Sequence, residues 1–184
     1  WLSLVVTSIP YDNFLLLKLS GPVQTGLYFA PFKILTIAYQ LGGNFSRVLA
    51  PRFASFDTPQ KVIEFTKKTL PIVGIFVLAM LALIPFARII TLIFFGEGYA
   101  SSVIIFRLLA LGFSFFFASL IPGAIVLYYL GDSKASFYIT FLKVVIFLVF
   151  LFLLIPRLAG TGAAVAYMIS ELTSLILSSV FVLY

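Results

Sequence analysis

The chain has no cysteine and no histidine, and its 184 residues carry only 12 Lys and Arg against 6 Asp and Glu. Without thiol or imidazole there is no disulfide, no thiolate nucleophile, no zinc site and no imidazole acid-base chemistry. An enzyme built on these residues would have to work with carboxylates alone. The scarcity of charge excludes more. With 62% of residues hydrophobic and 17% aromatic, a soluble domain of this length would have too little polar surface to cover itself. These residues suit a lipid bilayer.

What is present is a series of long apolar runs. Six of them approach the ~20 residues that a helix needs to cross a hydrocarbon core of about 30 Å. They cover Trp1 to Leu19, Leu27 to Leu49, Leu70 to Phe95, Val103 to Leu130, Phe137 to Ile155 and Gly162 to Tyr184. Turn-rich segments separate them: SGPVQTG from Ser20, PRFASFDTPQ from Pro51, GEGYASS from Gly96, GDSKAS from Gly131 and PRLAGTG from Pro156. Lipid demands internally satisfied backbone, and runs this long exceed the strands of a barrel, so they predict helices. The start at Trp1 and the apolar end at Tyr184 suggest a piece of a longer protein.

The stretch after Pro51 has structure of its own. Thr58 is placed to cap, Pro59 suits a first helical position, and Lys61, Glu64, Lys67 and Lys68 alternate with Val62, Ile63 and Phe65. This predicts a short amphipathic helix on the membrane surface, with a cytoplasmic extension of the third span as the alternative. The connections after the second and fourth spans hold Arg52, Lys61, Lys67, Lys68 and Lys134, whereas the other three hold only Arg157. Cations favour the cytoplasmic side, so both ends of a six-span chain are expected there.

Charges inside apolar spans are the features that point to function. A charge at membrane depth costs about 2.5 to 3.5 kcal/mol on insertion scales and is normally kept beside water, a partner or a substrate. Asp12 lies about 18 Å along its helix and Glu171 about 16 Å along a helix from the opposite face, so both reach the midplane, where secondary transporters hold substrates and coupling ions. Glu171 shares a small, polar stripe with Ala163, Tyr167, Ser170, Ser174 and Ser178. That stripe reads as a cavity lining, although small residues also allow close helix packing. Lys33 and Arg107 are candidate ligands for an anionic, phosphate-bearing cargo, and Arg107 shares its face with Ala110, Ser114 and Ala118. Lys18 and Arg88 fit snorkelling to the headgroups, and for Lys143, on a face with Ser136 and Thr140, either role fits. Pro31, Pro71, Pro85 and Pro122, with Gly42 and Gly43, are candidate kink positions.

The opening YDNFLLLKLSGPVQTGLYFAPFKI, with an acid at Asp12, glycines at Gly21 and Gly26 and a tyrosine at Tyr28, resembles a repeat start of the polysaccharide flippases. VLAPRFAS, LIFFGEGYASS, YYLGDSKAS and LLIPRLAGTGAAVAYMISE agree with that family in order, so the resemblance covers essentially the whole chain. It is to the Wzx-type lipid-linked oligosaccharide flippases, in the superfamily of the MATE exporters and the lipid II flippase. The resemblance implies an all-α integral membrane fold: a single bundle of six transmembrane helices over 1–184, similar to the second half of a twelve-helix transporter. It also implies ion-coupled flipping of a polyprenyl-pyrophosphate-linked oligosaccharide from inner to outer leaflet by alternating access. The expected partners are that lipid-linked sugar, the bilayer, H+ or Na+, and the N-terminal half of the same transporter, with no nucleic acid, cofactor or metal. Asp12 matches the family's acidic position in its seventh helix; the roles of Lys33, Arg107 and Glu171 rest on their own chemistry. A drug and ion antiporter of the MATE type shares the architecture, but its cavity would favour acids over cations. A membrane-embedded glycan-lipid enzyme would want a His, a carboxylate cluster or a long polar loop, and a non-transporting scaffold would leave the intramembrane charges without purpose.

Overall fold

A computed structural model of the chain describes residues 11–183. The start of the expected first span, Trp1 to Pro10, and the last residue Tyr184 lie outside them. The described residues are helical with no strand: α1 (Tyr11–Ala54), α2 (Pro59–Phe95), α3 (Ser102–Ala124) and α4 (Ser133–Leu183). A 3-10 turn, Glu97–Tyr99, precedes α3, and a π turn, Ile125–Tyr129, follows it. Three helices, Pro59–Phe95, α3 with its π turn, and α4, are long and apolar enough to cross a membrane. α1 is not among them, because Lys18, Lys33 and Arg47 with Gln40 and Asn44 dilute its apolar character.

Two of the four helices fold back on themselves. In a straight helix residues 12 and 28 would be about 24 Å apart, and residues 143 and 171 about 42 Å. Yet the Tyr28 hydroxyl donates to Asp12 Oδ2 at 3.0 Å, and Lys143 Nζ meets Glu171 Oε1 at 2.7 Å. The bends lie midway between these partners, at Gly21 (φ 80°, ψ 176°) and Ala159 (φ 48°, ψ −127°). Glycine enters the positive-φ region freely, whereas Ala159 is strained there. Each helix therefore has two arms: α1a (11–20) and α1b (22–54), α4a (133–158) and α4b (160–183). The second bend is tight enough that a Cβ on Gly162 would come within 2.6 Å of the Leu154 carbonyl oxygen.

α2 decides between two expectations. Residues 59–68 are not a separate amphipathic helix but the first turns of a continuous 37-residue helix, the extension of the third span that was the alternative. Pro71 does not interrupt it: the backbone keeps its helical course through the proline, and two residues earlier Thr69 turns its hydroxyl onto the Phe65 carbonyl at 2.6 Å. Thr58 does start the helix, in extended conformation ahead of Pro59, but its side chain makes no capping bond. Asp57 instead accepts from Lys61 at 2.6 Å, and that ammonium holds the exposed carboxyl below the usual range. The pair's contribution is therefore present above the ordinary carboxylate range and is lost as pH falls. Asp132 does cap α4, accepting from the Ala135 backbone N–H at 2.8 Å. The candidate prolines Pro31, Pro71, Pro85 and Pro122 all lie within helices that continue past them.

α3 is the central helix. Phe106, Leu109, Phe113 and Phe117 are buried on it, packed with Leu16, Tyr28 and Leu35 of α1 and Leu151, Ala163 and Ala166 of α4. Close approach to α4b depends on Gly112, where a Cβ would stand 2.8 Å from the Tyr167 ring and 3.2 Å from the Met168 backbone. Gly42 serves the same purpose rather than bending its helix, since a Cβ there would lie 2.8 Å from Phe116 and 2.9 Å from Phe117. α2, by contrast, turns Ile75, Leu78, Ile93 and Phe94 outward, an apolar surface suited to lipid.

Candidate functional site

The two deep acids are buried, and each has its own partner. Asp12 sits on α1a, where Oδ1 accepts from the Asn13 backbone N–H at 2.9 Å and Oδ2 accepts from Tyr28 across the first hairpin. Glu171 sits on α4b with 2% of its surface exposed, and its Oε1 is bridged to Lys143 across the second hairpin. Glu171 Oε2 is buried without a hydrogen-bond partner. Asp12 and Glu171, both expected at the midplane, thus each meet a partner within their own hairpin. A buried carboxylate needs a donor, and each fold-back supplies one from the neighbouring arm.

Aromatic rings fill the space between the acids. Tyr28 stacks on Phe32 at 5.7 Å, and Phe32 meets Tyr167 edge-on at 6.0 Å. Phe113 of α3 closes the group, 5.2 Å from Tyr167. Tyr167 and Glu171 lie one helical turn apart on α4b. The line therefore runs Asp12, Tyr28, Phe32, Tyr167, Glu171, Lys143, and it touches both arms of both hairpins. Sequence reasoning missed Tyr28 and Lys143 as partners. The turns themselves were visible: 12 and 28 lie on either side of SGPVQTG, and 143 and 171 on either side of PRLAGTG.

The serines of the expected lining are engaged locally. Ser114 and Ser170 are buried, and their hydroxyls donate to the carbonyls of Ala110 at 2.9 Å and Tyr167 at 2.7 Å. Ser174 is half-buried, and its carbonyl accepts from Ser178 at 2.7 Å. Such back-bonding is the usual arrangement for helix serines at tight packing. A separate apolar cleft of about 310 Å³, lined by Thr66, Leu70, Ala118, Pro122 and Ser179, contains none of the expected site residues.

Lys33 and Arg107 stand elsewhere, on exposed helix faces. α1b and α3 run parallel: the Ser102 hydroxyl donates to the Leu27 carbonyl at 2.7 Å near one end, and Gly42 abuts Phe117 further along. Both contacts join residues 75 apart in sequence, which sets Lys33 and Arg107 at one level on adjacent helices. Lys18 and Arg88 are also exposed, with the Lys18 ammonium 5.9 Å from the Phe14 ring.

Hydrophobic helices long enough to span a bilayer, with charges sealed among them, define a helical membrane protein. The chain is 28% identical over 175 residues to the capsular polysaccharide biosynthesis protein CapF of Staphylococcus aureus. The match takes in 92% of this chain but 43% of that protein, so the chain spans less than half the relative's length. No family model and no solved structure matches.

Proposed function

We propose that the chain is one half of a transporter that flips an anionic lipid-linked oligosaccharide across the membrane for polysaccharide assembly. In this reading the helical arms cross the bilayer six times, both ends of the chain are cytoplasmic, and a second bundle of the same protein faces this one. The observation that carries it is the pair of exposed cations, Lys33 and Arg107, held at one level on parallel neighbouring helices. Exposed at that depth they are unfavourable against lipid, whereas facing a water-filled cleft between two bundles they form a bidentate and a point-charge ligand for a pyrophosphate. The similarity to a capsular polysaccharide biosynthesis protein supports a sugar-bearing cargo. Transport by rocking of two bundles needs no covalent chemistry from this chain.

The test is a leaflet-accessibility assay. Full-length protein is reconstituted in liposomes with a fluorescent polyprenyl-pyrophosphate disaccharide, and the fraction reaching the opposite leaflet is followed with a membrane-impermeant quencher. Lys33→Gln and Arg107→Gln should each slow flipping, and the double substitution should abolish it, while the neutral fluorescent lipid without pyrophosphate is not carried. Flipping that survives the double substitution overturns the reading. Efflux of a cationic dye in place of the lipid would favour a drug antiporter of the same architecture.

A further inference from the structure

We infer that the apolar cleft beside the lysine-bearing end of α2 is a site for one anionic glycerophospholipid: Lys67 takes its phosphate, Thr66 an ester carbonyl, and the cleft an acyl chain. The inference lies outside the transport reading above and does not rest on it.

Three helices form the cleft. α2 contributes Thr66 and Leu70, α3 with its π turn contributes Ile121 and Ile125, and α4b contributes Ser179 and Val182. Its volume of about 310 Å³ is at the low end of the roughly 300–1,000 Å³ of small-molecule sites, room for a length of hydrocarbon chain and little else. Leu70 and Leu183 line it and are exposed, so it opens outward from the bundle. Its depth follows from the charges of α2. Lys67 and Lys68 are the last charges before Arg88, with an apolar run between. Thr66 therefore stands at the headgroup level, and Leu70, one turn on, where the hydrocarbon begins. The other walls share that end: Val62, Ile121 and Ile125 belong to one buried cluster, against which Val182 packs.

The charge at the mouth of the cleft has one sign. Asp57 is taken by Lys61 at 2.6 Å, whereas Lys67 and Lys68 are exposed and have no ion pair among the described residues. Lys67 precedes Leu70 by one turn on the same side of α2, which puts it at the edge of the cleft. Glu64 and Lys68 sit on the side opposite Thr66. Basic side chains at a membrane surface favour anionic lipids, and basic pockets between helices hold their head groups.

The hydroxyl of Thr66 narrows the choice of lipid. Thr25, Thr36, Thr69, Thr140 and Thr173 all donate to the carbonyl four residues before them. Thr66 does not, and its Oγ1 is buried without a partner. An unpaired hydroxyl is unfavourable in apolar surroundings. Helical threonines divide between two χ1 wells, so a single rotation turns the hydroxyl into the cleft, where the ester carbonyl of a glycerolipid accepts from it. A polyprenyl phosphate has no ester carbonyl between its phosphate and its chain, so it lacks the group that Thr66 serves.

Native mass spectrometry of the full-length protein in detergent tests this, with dioleoyl phosphatidylglycerol, its dialkyl ether analogue and dioleoyl phosphatidylcholine as probes. One phosphatidylglycerol should stay bound under activation that strips phosphatidylcholine. Lys67→Gln should weaken that binding about fivefold, the worth of one basic side chain near an anionic head group, and Lys68→Gln should leave it unchanged. The ester lipid should bind about fivefold tighter than the ether lipid, the net value of one hydrogen bond, and in Thr66→Val the two should bind alike. Ser179→Phe fills the cleft and should release the lipid, with thermal unfolding as the check on its fold; Lys67→Gln and Thr66→Val decide the matter where that variant does not fold. Retention of no phosphatidylglycerol, because the rest of the protein covers the cleft, overturns the inference, and so does equal retention of the two head groups. Displacement by a polyprenyl phosphate at equal concentration, unaffected by Thr66→Val, assigns the cleft to the tail of a cargo and overturns it as well.

Discussion

A carboxylate sealed among helices is only as stable as the donor within its reach, and the two deep acids here use different donors. Asp12 takes a phenol, so Tyr28→Phe removes one hydrogen bond and should lower stability by about 1 to 3 kcal/mol, read as a lower unfolding temperature of the detergent-solubilised protein. Glu171 takes an ammonium. Lys143→Met strands a buried charge and should cost about 3 to 5 kcal/mol, whereas Lys143→Met combined with Glu171→Leu should come close to neutral. A double-mutant cycle in which the two single changes simply add would show that the contact carries no coupling. The burial of both acids was legible in the sequence because a charge within an apolar run is costly against lipid and is kept where protein or water surrounds it. Their partners were not, since Tyr28 and Lys143 become neighbours only after each chain segment reverses, and nothing in helical periodicity reports on a residue beyond a turn.

Whole elements were easier to read than their boundaries. The turn at SGPVQTG was legible because it puts Gly beside Pro; the turn at PRLAGTG was legible too, but its positive φ falls on Ala159 instead of the adjacent Gly160. Gly160 is held in place by contact, a Cβ there meeting the Ile105 side chain at 3.0 Å and the Gln24 carbonyl at 3.3 Å. Ala159→Gly should therefore stabilise the hairpin by about 1 kcal/mol, through relief of a left-handed conformation. At Gly112 the opposite change is informative. A methyl group would push against the Met168 backbone, which has less freedom to retreat than a side chain, so Gly112→Ala should destabilise by about 1 to 3 kcal/mol. Gly43→Ala, where nothing lies within 4 Å, is the matched control and should gain up to about 1 kcal/mol from helix propensity. Equal effects at Gly112 and Gly43 would mean that α3 and α4b are less closely packed than their contacts imply. The length of α2 was legible only as one of two alternatives, because a charged stretch before an apolar span fits a separate surface helix and an extension of the span equally well.

At the scale of the whole molecule the strongest constraint is length against bilayer thickness. A 37-residue helix such as α2 extends about 55 Å, well beyond the hydrocarbon core of about 30 Å, so one end must project. The charged end is the one with Lys61, Glu64, Lys67 and Lys68, and the proposed reading puts it in the cytoplasm on the positive-inside bias. Its other end, at Gly96, with Arg88 and Glu97 near it, would then lie on the opposite side. Because this chain has no cysteine, single cysteines placed in a cysteine-free full-length protein report this directly. With a membrane-impermeant maleimide on intact cells, Gly98→Cys should label and Asp57→Cys should label only after the membrane is opened. Labelling of both from one side would require α2 to re-enter the face it left, which a continuous helix through Pro71 and Pro85 does not allow, and would remove the basis for the proposed crossing pattern. In the proposed reading that orientation would set Lys33 and Arg107 together toward the outer half of the bilayer, so an anionic headgroup entering from the cytoplasm would have to travel past the midplane to reach them.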